Sequence, residues 1–173
     1  MNLSQSFGGL NFFKVIALGL LLIAVQAAAA AWTGGGAGPE TAVILVVYVC
    51  WRAEKWMAVS AAFILGLFRD AAGSGLFGVY QAALVLTAWV FHAWRRRVHL
   101  ESPLALMFCV FSLTLALSLL ILSPLTALLG WPAPGFNPVP AFLVSALTTA
   151  LAAPPLFWLL GRLTGAREAG RNG

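Results

Sequence analysis

Side chains able to do acid–base or ligand chemistry are few in this chain of 173 residues. There are five carboxylates (Glu40, Glu54, Asp70, Glu101 and Glu168), two histidines (His92 and His99) and two cysteines (Cys50 and Cys109). Glu40, Glu54, Glu101 and Glu168 fall in expected loops or in the tail. Asp70 alone is expected at depth, beside Arg69 at the end of an apolar run, where a charge is costly and therefore informative. The surrounding stretch, residues 62–78, reads AFILGLFRDAAGSGLFG. Asp70 has two readings. One is a proton or ligand site. The other, which carries more weight, is structural or partner-facing: an ion pair with Arg69, or a cap for the corner between two helices.

An enzyme site needs convergent acid, base and nucleophile groups, and no such set is visible. His92 and His99 are seven residues apart, which is not a metal-site spacing; they read as interfacial residues. Cys50 and Cys109 lie inside apolar runs and read as small buried hydrophobes rather than a disulfide framework. The glycines of TGGGAG and GSGLFG lack the following Gly-Lys-Ser/Thr of a phosphate loop. No catalytic, cofactor-binding or metal-binding residue is assigned, and no enzyme activity is expected.

The elements that must position Asp70 are apolar. The chain is 61% hydrophobic and 9% charged, against roughly 25% charged in soluble domains. A soluble domain of this size cannot bury that much apolar surface, so the expected class is an all-α polytopic membrane protein. Trp32, Trp51, Trp56, Trp94 and Trp131 fall near ends of apolar runs, where amphipathic rings favour the interface. The net charge of +5 is read as topology and lipid head-group attraction, not nucleic-acid binding.

Six helices are expected in a single membrane domain, 1–173, at about 12–32, 39–51, 57–70, 76–94, 103–129 and 139–160, with a cytoplasmic tail at 161–173. The second and third are short for a span of about 20 residues. The first also resembles a secretory signal, but a retained helix fits the chain better. Pro124 is expected to kink or end the fifth helix. Pro154–Pro155 should bend or break the sixth unless neighbours satisfy the freed carbonyls. Ser145, Thr148, Thr149 and Ala152 share a face suited to close contact. Six crossings put Lys14, Arg52, Lys55, Arg95–Arg97, Arg162, Arg167 and Arg171 on one side, leaving only Arg69 on the other. The positive-inside rule makes that side, and both termini, cytoplasmic. Arg95, Arg96 and Arg97 read as a topology or lipid anchor. Within the central stretch, small residues recur four apart (Ala62 and Gly66, Ala71 and Gly75, Ser74 and Gly78), a spacing that lets helices approach closely in lipid.

The run FILGLFRDAAGSGLFGVYQAAL resembles the most recognisable segment of the rod shape-determining protein MreD family. There a Gly-Leu pair leads to an Asp, then to a small-residue turn, then to Leu-Gly or Phe-Gly opening the next helix. The matching positions are Gly66 and Leu67, Asp70, Gly73–Gly75, and Phe77 and Gly78. The resemblance covers about a seventh of the chain; size and the basic loop after the fourth helix match in layout. It implies a non-enzymatic, multi-pass bacterial inner-membrane scaffold of the elongation machinery. That scaffold would act in rod shape and lateral peptidoglycan synthesis through MreC, with MreB, RodA and a penicillin-binding transpeptidase. Gly66, Arg69, Asp70, Gly73, Gly75 and Gly78 become the expected partner interface or structural corner. The family is also similar in fold to substrate-binding subunits of energy-coupling-factor vitamin transporters. This supplies the alternative, a small-solute binding or transport subunit.

Overall fold

A computed structural model describes residues 9–33, 38–72, 77–94, 103–129 and 139–164, with the side chains at 9–10, 30, 33, 94 and 122–129 left aside. Gly73, Gly75, His99, Glu101, Trp131, Glu168 and the Arg95–Arg97 run lie outside the described residues. Six α-helices follow in order, and no strand occurs among the described residues: α1 (Gly9–Thr33), α2 (Thr41–Arg52), α3 (Lys55–Ala72), α4 (Val79–Trp94), α5 (Pro103–Leu129) and α6 (Val139–Leu163).

The centre of the bundle is α2. Its residues are apolar on every side, and a helix of that pattern has to be enclosed. All ten residues from Thr41 to Cys50 are buried, and α2 touches each of the other five helices. At 1.5 Å per residue its 12 residues rise only about 18 Å. Enclosure explains how so short a helix is accommodated: protein, rather than lipid, surrounds it from Thr41 to Cys50. Cys50 donates its thiol to the Ala88 carbonyl on α4.

Two residues, Ala53 and Glu54, join α2 to α3. Their turn is closed by Ala53 N–H donating to Val49 O and Ala58 N–H donating to Glu54 O. Next, α3 and α4 form an antiparallel hairpin, the most extensive helix pair in the fold together with α5–α6. The second helix is short, at 12 residues, as expected, but the third is not. The third has 18 residues and carries Arg69 and Asp70 in its last turn, while the fourth has only 16. The cause is Gly78, whose φ of +92° holds a non-helical turn where α4 was expected to have begun.

The prolines end or break neither α5 nor α6. The backbone of α5 stays helical through Pro124 to Leu129. That of α6 stays helical through Pro154 and Pro155, with Ala153 fully buried between its neighbours. Pro103 opens α5, the one helical position where its missing N–H costs nothing.

Three helices are long and apolar enough to cross a membrane: Asn11–Ala29 within α1, Pro103–Ile121 within α5, and α6. Their outward faces carry large apolar side chains, including Phe13, Leu21, Phe108, Leu119, Leu147 and Leu151. A soluble monomer does not leave so extensive an apolar surface in water. Among the described residues Trp32 and Trp56 are the most exposed rings, at 91% and 76%, and both sit near helix ends.

Candidate functional site

Two of the described carboxylates, Asp70 and Glu40, meet Arg69 and Tyr80 at the end of the bundle where α3 hands over to α4. A helix start leaves backbone N–H groups without internal partners, and α4 obtains its acceptor from another helix. One oxygen of Asp70, Oδ2, accepts from Gly78 N–H at 3.0 Å and from Gln81 N–H at 2.9 Å. The other, Oδ1, accepts from Tyr80 N–H at 3.2 Å. The carboxylate thus caps α4 from the last turn of α3, and its charge complements the positive end of the α4 dipole.

One turn earlier on α3, Gly66 brings the two backbones together. A Cβ built there would lie 2.6 Å from Gln81 Cα. Gln81 is thereby held twice, by contact with Gly66 and by its N–H bond to Asp70. Ala62 is also buried, and at the Ala62–Gly66 pair the close approach is to α4 of the same chain; Ser74 and Gly75, in the other two expected pairs, lie outside the described residues.

Arg69 turns elsewhere. Its Nη2 lies 3.5 Å from Glu40 Oε1, and its guanidinium sits 5.3 Å from the centre of the Tyr80 ring. The Tyr80 hydroxyl donates to Glu40 Oε2 at 2.6 Å. Glu40, Arg69 and Tyr80 therefore form a closed triad across the starts of α2 and α4 and the end of α3. Of the two structural alternatives for Asp70, the cap is the one observed and the ion pair with Arg69 is not: among the described residues Arg69 has one carboxylate partner, and it is Glu40. Successive residues on a helix do not face each other, so Arg69 and Asp70 project to different neighbours. Arg69 Nε is buried without a hydrogen-bond partner among the described residues.

Glu40 is the residue that sequence reasoning missed. It was expected in a loop, but it sits at the N-terminal boundary of α2, set back inside the bundle. Its N–H donates to Thr149 Oγ1 at 2.8 Å. Thr149 is ten residues beyond Val139, where α6 begins, a distance of about 15 Å along the axis. Thr41 Oγ1 donates to Gln26 Oε1 at 3.0 Å, and Gln26 lies seven residues, about 10 Å, before the end of α1 at Thr33. Ser145 Oγ donates to the Gly38 carbonyl at 3.1 Å. The chain therefore dips between α1 and α6 before α2 begins, and the polar face expected on α6 receives this dip. Pro39, just before Glu40 in a link otherwise lacking large side chains, was the available signal.

The arrangement is chemically quiet. Among the described residues every hydrogen bond to Asp70 comes from a backbone N–H, and both Glu40 oxygens have partners. No group of three or more His, Cys, Asp or Glu able to hold a metal occurs among the described residues. His92 is half-buried in the last turn of α4, and Cys109 is half-buried on α5. Fold and site together define the class: an all-helical protein with at least three helices fit to span a membrane, organised around an internally capped hairpin. Comparison with protein-family models, curated proteins and solved structures gives no match.

Proposed function

We propose that this chain is an MreD-like scaffold of the bacterial inner membrane, acting in cell elongation by packing against MreC within an assembly that includes MreB, RodA and a penicillin-binding transpeptidase. The observation that carries the reading is the α3–α4 hairpin. The segment resembling the MreD family, Phe63–Leu84, is the one locked by Gly66 and capped by Asp70. The spacing from Gly66 to Asp70 to Gly78 gains a physical purpose: close approach, cap and turn. With Asp70 and Glu40 occupied by internal partners, what the hairpin offers outward is apolar surface at Trp56, Phe63, Leu86 and Trp89. In lipid, such a face associates with another helix by packing.

The proposed topology has six crossings with both termini cytoplasmic. Lys14, Arg52, Lys55 and Arg162 lie at the end where α1 begins, and Arg69 is alone among described cations at the other, which fits the positive-inside rule. Tagged protein extracted from its own membranes should carry MreC with it. A variant with Trp56, Phe63 and Leu86 changed to alanine should insert normally and lose MreC. Capture of MreC unchanged by these substitutions would remove the hairpin as the interface.

A second reading, a small-solute binding subunit, is favoured by one observation: the unpartnered Nε of Arg69 beside Tyr80 and Glu40. Calorimetric binding of a vitamin to the purified protein, lost in Arg69→Gln, would put that reading first.

A further inference from the structure

The end of the bundle opposite the Asp70 corner is cationic in a specific way. Contacts between distant segments assemble it. Asn11 Nδ2, at the start of α1, donates to the Thr164 carbonyl at 3.3 Å. The Tyr48 hydroxyl on α2 and Thr164 Oγ1 are 2.7 Å apart. Trp51 at the end of α2 lies against Phe157 of α6, 6.2 Å between ring centres. Lys14, one turn after Asn11, and Arg162, two residues before Thr164, are both exposed.

Four of the five described cations collect here, with Glu54 as the one described carboxylate on the connecting turn. None of the four makes an ion pair among the described residues. Three of them lie over tryptophan rings instead: Arg52 over Trp51 at 5.9 Å, Lys55 over Trp89 at 5.3 Å, and Arg162 over Trp158 at 4.0 Å. A ring holds a cation in place while leaving its N–H groups open to an acceptor. A carboxylate partner would consume them. Tryptophan favours the boundary between hydrocarbon and head groups, so a cation stacked on it is held at phosphate level. The Asp70 end lacks this property, because its cation is neutralised by Glu40.

We infer that the rim formed by Arg52, Lys55 and Arg162 on Trp51, Trp89 and Trp158 binds the phosphate groups of acidic phospholipids. This rests on the membrane part of the proposed function and not on the identity of any protein partner. The rim thereby gives the bundle a preferred lipid at one face and fixes the depth of α2, α4 and α6 relative to it.

The test uses the full chain in mixed micelles offered phosphatidylglycerol and phosphatidylcholine of matched acyl chains, with retained lipid counted by native mass spectrometry. The wild-type protein should retain phosphatidylglycerol preferentially, and the preference should fall as salt screens exposed charge. The variant Arg52→Gln/Lys55→Gln/Arg162→Gln should lose about fivefold or more of that preference, given the attraction of each cation to an anionic surface. Equal retention of the two lipids, or a preference indifferent to salt, overturns the proposal whether or not the triple variant folds. So does a preference that survives in the triple variant and disappears in Arg95→Gln/Arg96→Gln/Arg97→Gln. Failure of the wild-type protein to capture MreC, with lipid preference intact, would sink the scaffold reading and leave this rim standing.

Discussion

Asp70 and Gly78, eight residues apart on either side of a helical corner, are joined by a hydrogen bond of 3.0 Å from the Gly78 N–H to the Asp70 carboxylate. The same carboxylate takes the Tyr80 and Gln81 N–H groups, so one side chain secures the start of α4. Asp70→Ala leaves three donors short of their acceptor, at a cost of about 1–3 kcal/mol. Asp70→Asn, which keeps one carbonyl oxygen, should lose less. Unfolding in graded sodium dodecyl sulfate should rank wild type above Asn above Ala; equal midpoints would contradict the cap.

Gly66 and Gly19 separate backbone contact from side-chain contact. At Gly66 a Cβ meets the Gln81 backbone at 2.6 Å, whereas at Gly19 it meets the tip of Leu65 at the same distance. Leu65 and the neighbouring tip of Leu45, 3.0 Å away, are fully buried but are side-chain ends that can shift; a helix backbone cannot. Gly66→Ala should therefore destabilise by about 1–3 kcal/mol through overpacking, outweighing the roughly 1 kcal/mol gain in helix propensity. Gly19→Ala should change stability far less. Unfolding midpoints of the two variants, measured side by side, decide this.

The same logic applied to φ gives a second pair. Gly78 has φ +92° and nothing within 4 Å of a built Cβ, and Gly161 has equally open space in a helical conformation. Gly78→Ala should cost about 1–2 kcal/mol from the left-handed backbone alone. Gly161→Ala should be neutral or stabilise by about 0.4–1 kcal/mol. Thermal melts in detergent should move in opposite directions or differ by that margin.

The Glu40–Arg69–Tyr80 triad predicts coupling between α2 and the hairpin. A double-mutant cycle with Glu40→Ala and Arg69→Ala should give a coupling energy on the order of 1 kcal/mol, because the pair is partly exposed. Tyr80→Phe should cost about 1 kcal/mol in wild type and less in the Glu40→Ala background, where the hydroxyl has already lost its acceptor. Additive losses would show that the three side chains act independently.

The helical bundle was legible in the sequence because apolar runs of helical length leave few alternatives, and the corner was legible because Arg69, Asp70 and the glycines interrupt two such runs. The use of Asp70 as a cap was among the readings open from sequence, since an acid just before a helix start has that option. Its separation from Arg69 follows from helix geometry, but the partner that claims Arg69 does not. Glu40 lies 29 residues earlier, on the far side of α2 and most of α3, and only packing of α2 between α1 and α6 brings it there. The shortness of α4 was equally hidden, because Leu76–Gly78 continues the hydrophobic pattern and only the positive φ of Gly78 interrupts it.

The most direct test of the scaffold reading is depletion of the protein from its own cells, followed by shape microscopy with labelling of new wall synthesis. The reading predicts rounded cells with dispersed synthesis, restored by wild-type protein and poorly by Asp70→Ala. Cells that keep their shape under depletion but require a supplied nutrient to grow would contradict it and favour the small-solute subunit.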